Sequence, residues 1–170
     1  MGIRGDGRPL GDPDERLVPR AGRAWSFSHD LSAGEILPVR FGDLPAAEAA
    51  RRLFADLDAD LAARFEAGDL LVAGYHLGVG EGGAAAARAL AAAGFGAVIA
   101  ASFADGFDEA VLAAGLPALE VDAPAIFHTG NRLRINFEGG TIANLSSGDR
   151  QPVRNLTDAL LARLRASLAR

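Results

Sequence analysis

Residues Gly68 to Pro117 constrain the fold more than any other part of the chain: GDLLVAGYHLGVGEGGAAAARALAAAGFGAVIAASFADGFDEAVLAAGLP. They read in order as strand, glycine-rich turn, alanine-rich helix, strand, polar loop and helix, an order that belongs to α/β architecture. The turn Gly78-Val79-Gly80-Glu81-Gly82-Gly83 stands where a helix begins. Free amides and the helix dipole make such a turn a natural place for an anion. It contains no Ser, Thr, Cys, Lys or Arg. The shape of a site is therefore present without the side chains that usually equip one.

With 170 residues the chain is long enough for one domain with a substantial core, and 49% apolar content with a mean hydropathy of +0.14 fits a globular protein. The apolar run from Ala84 to Ala101 is broken by Arg88 and glycines and is built from Ala rather than Leu, so it reads as buried helix and strand rather than a membrane span. A net charge of -5 argues against a nucleic-acid partner, which needs clustered cations. All 17 basic residues are Arg, which excludes lysine Schiff bases and a P-loop lysine. The absence of Cys excludes disulfides, thiolate nucleophiles and Cys-held clusters in this chain. The three histidines, His29, His76 and His128, lack metal-ligand spacing, so no metal site is expected. The first twenty residues show no secretory leader, and a cytoplasmic setting is expected.

Residues 1–20 read as a flexible tail rich in Gly, Pro and charge, and residues 21–170 as a single domain. Gly22 to Phe27 alternates like a strand with Trp25 and Phe27 on one face. The spacing of Leu53, Leu57, Leu61 and Phe65 predicts a helix between Pro45 and Gly68. Strands are predicted over 69–73, 97–101 and 118–121, and helices over 82–93 and 106–114. A hairpin is predicted over 132–137 and 141–145, and a last amphipathic helix over 157–169, with Thr157 and Asp158 at its start. His29-Asp30 reads as a capping pair before a turn, Asp105 and Asp108 as loop caps, and His128-Thr129 as surface.

Gly78-x-Gly80-x-x-Gly83 matches the dinucleotide fingerprint, but its context argues against that use. Tyr75-His76-Leu77 separate the strand from the first glycine, and Ala100-Ala101-Ser102 stand where an acidic residue is wanted. The polar groups beside the turn are the only tyrosine, Tyr75, with His76 and Glu81. They are the catalytic candidates, an imidazole and a carboxylate able to act as base and orienting partner. The plainer alternative makes His76 an ordinary loop histidine and Glu81 a solvated carboxylate at a helix start. The glycines Gly80, Gly82 and Gly83, with Ser102, are candidates for substrate binding.

Several segments together resemble the small subunit of 3-isopropylmalate dehydratase, the swivelling domain of the aconitase superfamily. They are Gly22-Arg23-Ala24-Trp25, Ile36-Leu37-Pro38-x-Arg40-Phe41, Gly68-Asp69-Leu70-Leu71-Val72-Ala73-Gly74, Ala97-Val98-Ile99-Ala100-x-Ser102-Phe103-Ala104 and Gly115-Leu116-Pro117. The resemblance runs from Gly22 to Arg154. It implies a swivelling β/β/α domain, a small mixed sheet flanked by helices. It also implies a large subunit carrying a 4Fe-4S cluster, a carboxylate substrate and hydro-lyase or isomerase chemistry.

The family's turn reads G-C-G-S-S-R-E-H-A, with a serine as base and an arginine on a substrate carboxylate. Here the serines fall at Glu81 and Gly82, the arginine at Gly83, and the Glu-His at Ala84-Ala85. The family's D-T-D-x-I-x-P becomes Ser32-Ala33-Gly34-Glu35-Ile36-Leu37-Pro38, and its G-E-N becomes Gly74-Tyr75-His76. Losing a bidentate guanidinium contact forfeits roughly 1.5–3 kcal/mol, and losing a general base costs about 100- to 10,000-fold in rate. Arg40 persists, either to hold an anionic substrate or to pair with a surface carboxylate. Three functions are consistent with these residues. The first is a divergent small subunit working with a cluster-bearing large subunit. The second is a stand-alone metal-free lyase or cyclase of a specialised pathway, and the third an inert anion-binding module. Self-association is left open.

Overall fold

The computed structural model describes residues 17–168, and residues 1–16 of the predicted tail lie outside them. Within them the tail expectation is corrected at its end. Leu17 is buried and its N–H donates to Glu138 Oε1 at 3.0 Å, and the first strand opens at Arg20.

Seven strands form one mixed sheet in the order β4-β3-β2-β1-β5-β6-β7. The strands are β1 Arg20–Ser26, β2 Leu70–Ala73, β3 Ala97–Ala100, β4 Ala118–Glu120, β5 Arg132–Asn136, β6 Thr141–Asn144 and β7 Arg150–Pro152. β1 to β4 run parallel, and β5, β6 and β7 add antiparallel to the edge of β1. The helices are α1 Ala33–Ile36, α2 Ala46–Ala49, α3 Gly83–Ala92, α4 Phe107–Ala113 and α5 Asp158–Leu168. The predicted strands, hairpin and last three helices stand within a residue or two of their expected limits. α5 begins as expected, with Thr157 Oγ1 accepting from the Leu160 N–H at 3.1 Å.

β2 and β3 are buried along their whole length, as central parallel strands are. One face, with Trp25, Leu71, Ala73, Val98 and Ala100, packs under α3 and α4 through Ala86, Ala87, Leu90, Phe107 and Val111. The other, with Ala24, Leu70, Val72, Ala97 and Ile99, meets Phe127, Phe137, Ile142 and Leu164. Alanine on α3 lets that helix lie close to the sheet, and each fully buried Leu or Val contributes about 1.5–3 kcal/mol.

The helix predicted between Pro45 and Gly68 does not form. α2 makes little more than one turn, a 3-10 turn follows at Ala50–Arg52, and the chain breaks at Phe54, whose φ is +58°. The aromatic core explains the break. Phe54 is fully buried, stacked on Phe27 with centroids 4.6 Å apart and edge-on to Phe65 at 5.7 Å, and its N–H donates to Ile36 O. Burying that ring outweighs continuing a helix whose Leu57 face would stay in solvent.

Asp69, at the start of β2, is 3% exposed. Its Oδ2 accepts from Trp25 Nε1–H at 2.7 Å, Arg23 Nη2 at 3.1 Å and the Glu66 N–H at 2.9 Å. The carboxylate thus satisfies the indole and ties β1 to β2. Asp69→Ala leaves the Trp25 N–H and the carboxylate's other donors unpaired. It is expected to lower stability by about 2–3 kcal/mol, read as a lower denaturant midpoint with an unchanged slope.

Candidate functional site

The strand register fixes what the loops can reach. β1 and β2 pair with Ala24 beside Leu70, Trp25 beside Leu71 and Ser26 beside Val72, a constant offset of 46 residues. Hydrogen bonds carry the alignment past the strand ends: Phe27 N–H to Val72 O at 2.8 Å, Gly74 N–H to Ser28 O at 3.3 Å and Asp30 N–H to Tyr75 O at 2.8 Å. His29 therefore faces Tyr75, and Asp30 faces His76. The Tyr75 N–H donates to His29 Nδ1 at 2.8 Å, and His76 Nδ1 lies 3.0 Å from Asp30 Oδ1. This corrects the expectation that His29-Asp30 caps a turn. Asp30 and His76 both adopt left-handed backbone, with φ of +58° and +59°, which costs each about 1–3 kcal/mol and concentrates at functional sites.

Gly74 makes the His29 contact possible, because a Cβ at that position would fall 2.0 Å from His29 Nδ1. The Tyr75 ring stacks on His29 at 5.1 Å and lies 6.4 Å from His76. His29 and Tyr75 also line a cavity of about 380 Å3 at the ends of β1 to β4. Its floor is apolar, formed by Phe27, Ala73, Ala101, Ala123 and Pro124, with Asp122 at one side. Arg154 pairs with Asp122 at 3.0 Å and also donates to Ala101 O.

The glycine turn is held from both sides. Gly78 N–H donates to Leu31 O and Ala33 N–H to Val79 O, while Leu77 N–H donates to Ser102 O and Ala104 N–H to Leu77 O. At Gly78, φ is +86° and a Cβ would meet the Phe107 ring at 2.1 Å, so the first residue of α4 lies flat against the turn. Gly82 caps α3 in left-handed conformation without any side-chain acceptor, and Gly80 is open to solvent. Gly83 lies half-buried beside Phe107.

Of the sequence candidates, the structure brings Tyr75, His76 and Ser102 together. The Ser102 Oγ accepts from the His76 N–H at 2.9 Å, so this hydroxyl positions the loop. Glu81 is exposed on the turn, and the carboxylate that meets His76 is Asp30 instead. Arg40 takes the second of its two expected roles. Its Nη1 and Nη2 both bond to Asp56, at 2.9 and 2.6 Å, on the surface. The hydrogen bonds push the Arg40 guanidinium above its ordinary value and hold the Asp56 carboxyl below its own. Asp105 and Asp108 do not cap α4, whose first turn follows Gly106 without a side-chain acceptor. Ser32, which falls on the first of the family's two carboxylate positions, forms a reciprocal capping box on α1 with Glu35. Thr129 is on the surface but its Oγ1 accepts from the Ser26 N–H. Among the described residues no group of His, Asp or Glu could hold a metal ion, and no helix is long and apolar enough to cross a membrane.

A mixed sheet with four parallel strands, a glycine turn after the second and a three-stranded antiparallel edge defines a small-subunit domain of the aconitase type. The crystal structure of 3-isopropylmalate dehydratase from Methanocaldococcus jannaschii has the same fold. It matches with a TM-score of 0.81 over 88% of this chain and 90% of that chain, at 24% identity. No protein-family model matches the chain. Curated relatives do. A 3-isopropylmalate dehydratase small subunit of Archaeoglobus fulgidus is 35% identical over 142 residues, 82% of this chain and 86% of the relative. One from Thermotoga maritima is 33% identical over 129 residues, covering 75% and 78%. The 2,3-dimethylmalate dehydratase small subunit of Eubacterium barkeri is 31% identical over 129 residues, covering 75% and 79%. The chain belongs to the 3-isopropylmalate dehydratase small-subunit family.

Two measurements check this geometry. Gly78→Ala forces a side chain into the Phe107 ring and a left-handed Ala, and is expected to cost about 2–4 kcal/mol in denaturant unfolding. The Asp56 carboxyl is held low, so its pair with Arg40 adds stability above about pH 4 and loses it as pH falls through the folded-state value. The small stability difference between wild type and Arg40→Ala should therefore vanish below that pH, and at high salt.

Proposed function

We propose that this chain is the small subunit of a two-subunit hydro-lyase that acts on a hydroxy-carboxylate, and that it closes over a cluster-bearing large subunit. The observation that carries this reading is the joint survival of the family's framework, at 35% identity over 142 residues, and of an open glycine turn beyond the carboxyl end of β2. Exposed apolar side chains lie on and around that turn. Val79 and Tyr75 belong to the same loop, and Val39 Cγ2 lies 3.9 Å from where a Gly82 Cβ would stand. Such a rim is suited to being covered by a partner.

A 4Fe-4S cluster does not fit this chain's own donors, because the sequence has no Cys. The cluster is assigned to the large subunit. This chain's part is to bind, orient and exchange a proton. The turn offers unpaired amides at Gly83 and Ala84 for a substrate carboxylate. With the family's serine absent, the base falls to His76, which stands two residues before the first glycine of the turn. A cytoplasmic setting goes with this reading.

The test is co-expression with a dehydratase large subunit encoded in the same genome. The expected result is a single chromatographic species containing both chains. It should convert 2-isopropylmalate or a related hydroxy acid to an unsaturated product seen by its ultraviolet absorbance, while the lone small subunit shows no turnover. A monodisperse small subunit that ignores the large one would sink the proposal.

A further inference from the structure

The two histidines on either side of Tyr75, His29 lining the cavity and His76 on the exposed loop beyond it, are held by partners of opposite kind. A backbone N–H can only donate, so His29 Nδ1, at 2.8 Å from the Tyr75 N–H, presents its lone pair there and carries its proton on Nε2. An ionised carboxylate can only accept, so His76 Nδ1, at 3.0 Å from Asp30 Oδ1, carries the proton and leaves Nε2 bare. Neutral His29 is then a hydrogen-bond donor at its outer nitrogen and neutral His76 an acceptor. Both contacts follow from one register, and both imidazoles border the same Tyr75 ring.

We propose that His29 and His76 form an acid–base couple of fixed, opposite tautomers, with Asp30 as the residue that positions His76. The proposal rests on the hydro-lyase reading and deepens it by naming what replaces the family's base. The His76 Nε2 takes the substrate C–H proton, the C–H electron pair becomes the new C=C bond, and the neighbouring C–O bond releases hydroxide. Proton and hydroxide together are the one water lost. The His29 Nε2–H donates to a substrate oxygen. Strain supports a functional role, since Asp30 and His76 are two of three non-glycine residues with positive φ among the described residues. The other titratable groups on the three converging loops are Tyr75, Glu81 and Asp105, and the group in hydrogen-bond contact with the His76 ring is Asp30.

The experiment has two arms. In the first, the chain labelled with 15N-histidine is measured by long-range 1H–15N correlation at pH 8. His76 should show a protonated Nδ1 and a bare Nε2, and His29 the reverse. Asp30→Asn, which keeps a residue tolerant of left-handed backbone, presents an amide donor to Nδ1 and should move the His76 proton to Nε2. In the second arm, the assembled two-subunit enzyme is assayed. His76→Gln and Asp30→Asn should lower kcat about 100- to 10,000-fold with KM little changed, Asp30→Glu should recover part of the loss, and His29→Gln should chiefly raise KM. Both histidines in one tautomer, or full turnover by His76→Gln, overturns the couple alone. A wild-type complex without hydro-lyase activity overturns the functional reading and the proton-transfer role with it.

Discussion

The Asp69 carboxylate joins the indole of Trp25, the guanidinium of Arg23 and the backbone of Glu66 in one buried node, and that node holds the two central strands in alignment. A second constraint lies beside it. Gly22 and Gly68 are also 46 apart, and a Cβ on Gly22 would fall 1.9 Å from Gly68 O, so the strands start in contact that only glycine permits. From that end the same offset runs through β1 and β2 to the paired loops at the other. The side chains that meet beyond the strands are thus decided some twenty ångströms away, by a carboxylate and a glycine far from the reacting end.

Much of this was readable in the chain. The order from Gly68 to Pro117 specifies βαβα, and the apolar runs LLVA and AVIA are strands because they are short, wholly apolar and bounded by glycine. The stretch from Leu53 to Phe65 was not legible. Its period is helical, yet the aromatic rings of Phe54 and Phe65 are worth more in the cluster with Phe27, Trp25 and Phe95 than along one helix face. β7 is not legible in the sequence because Arg150–Pro152 is three residues long and carries no apolar alternation. At the candidate site, His76 and Tyr75 stand out in the sequence by type, but the pairing of Asp30 with His76 does not, because the two are 46 residues apart and periodicity says nothing about cross-loop pairing. The one available signal was the equal spacing of His29-Asp30 and Tyr75-His76 from their strands.

The divergence from the family follows a physical pattern. Positions that set packing survive: Gly78 against Phe107, the Asp69 node and the buried strands. Polar groups in the loops hold local structure. Ser32 and Glu35 close a capping box, Ser102 braces the His76 amide, and Arg40 is bound to Asp56. The family's arginine position in the glycine turn is Gly83, Glu81 is the turn's one charged residue, and an imidazole, His76, stands in the strand-end loop before it. An imidazole alters which protons are available without adding a permanent charge near the helix start.

Gly74 has a consequence for how such a domain can be altered. Its missing side chain is the slot in which the His29 ring rests, so position 74 acts as a switch on position 29: any larger residue ejects the ring and frees the Tyr75 amide. The loop pair is therefore inherited as a block of interlocking pieces, and a new specificity grafted here has to carry residues 29, 30 and 74 to 76 together.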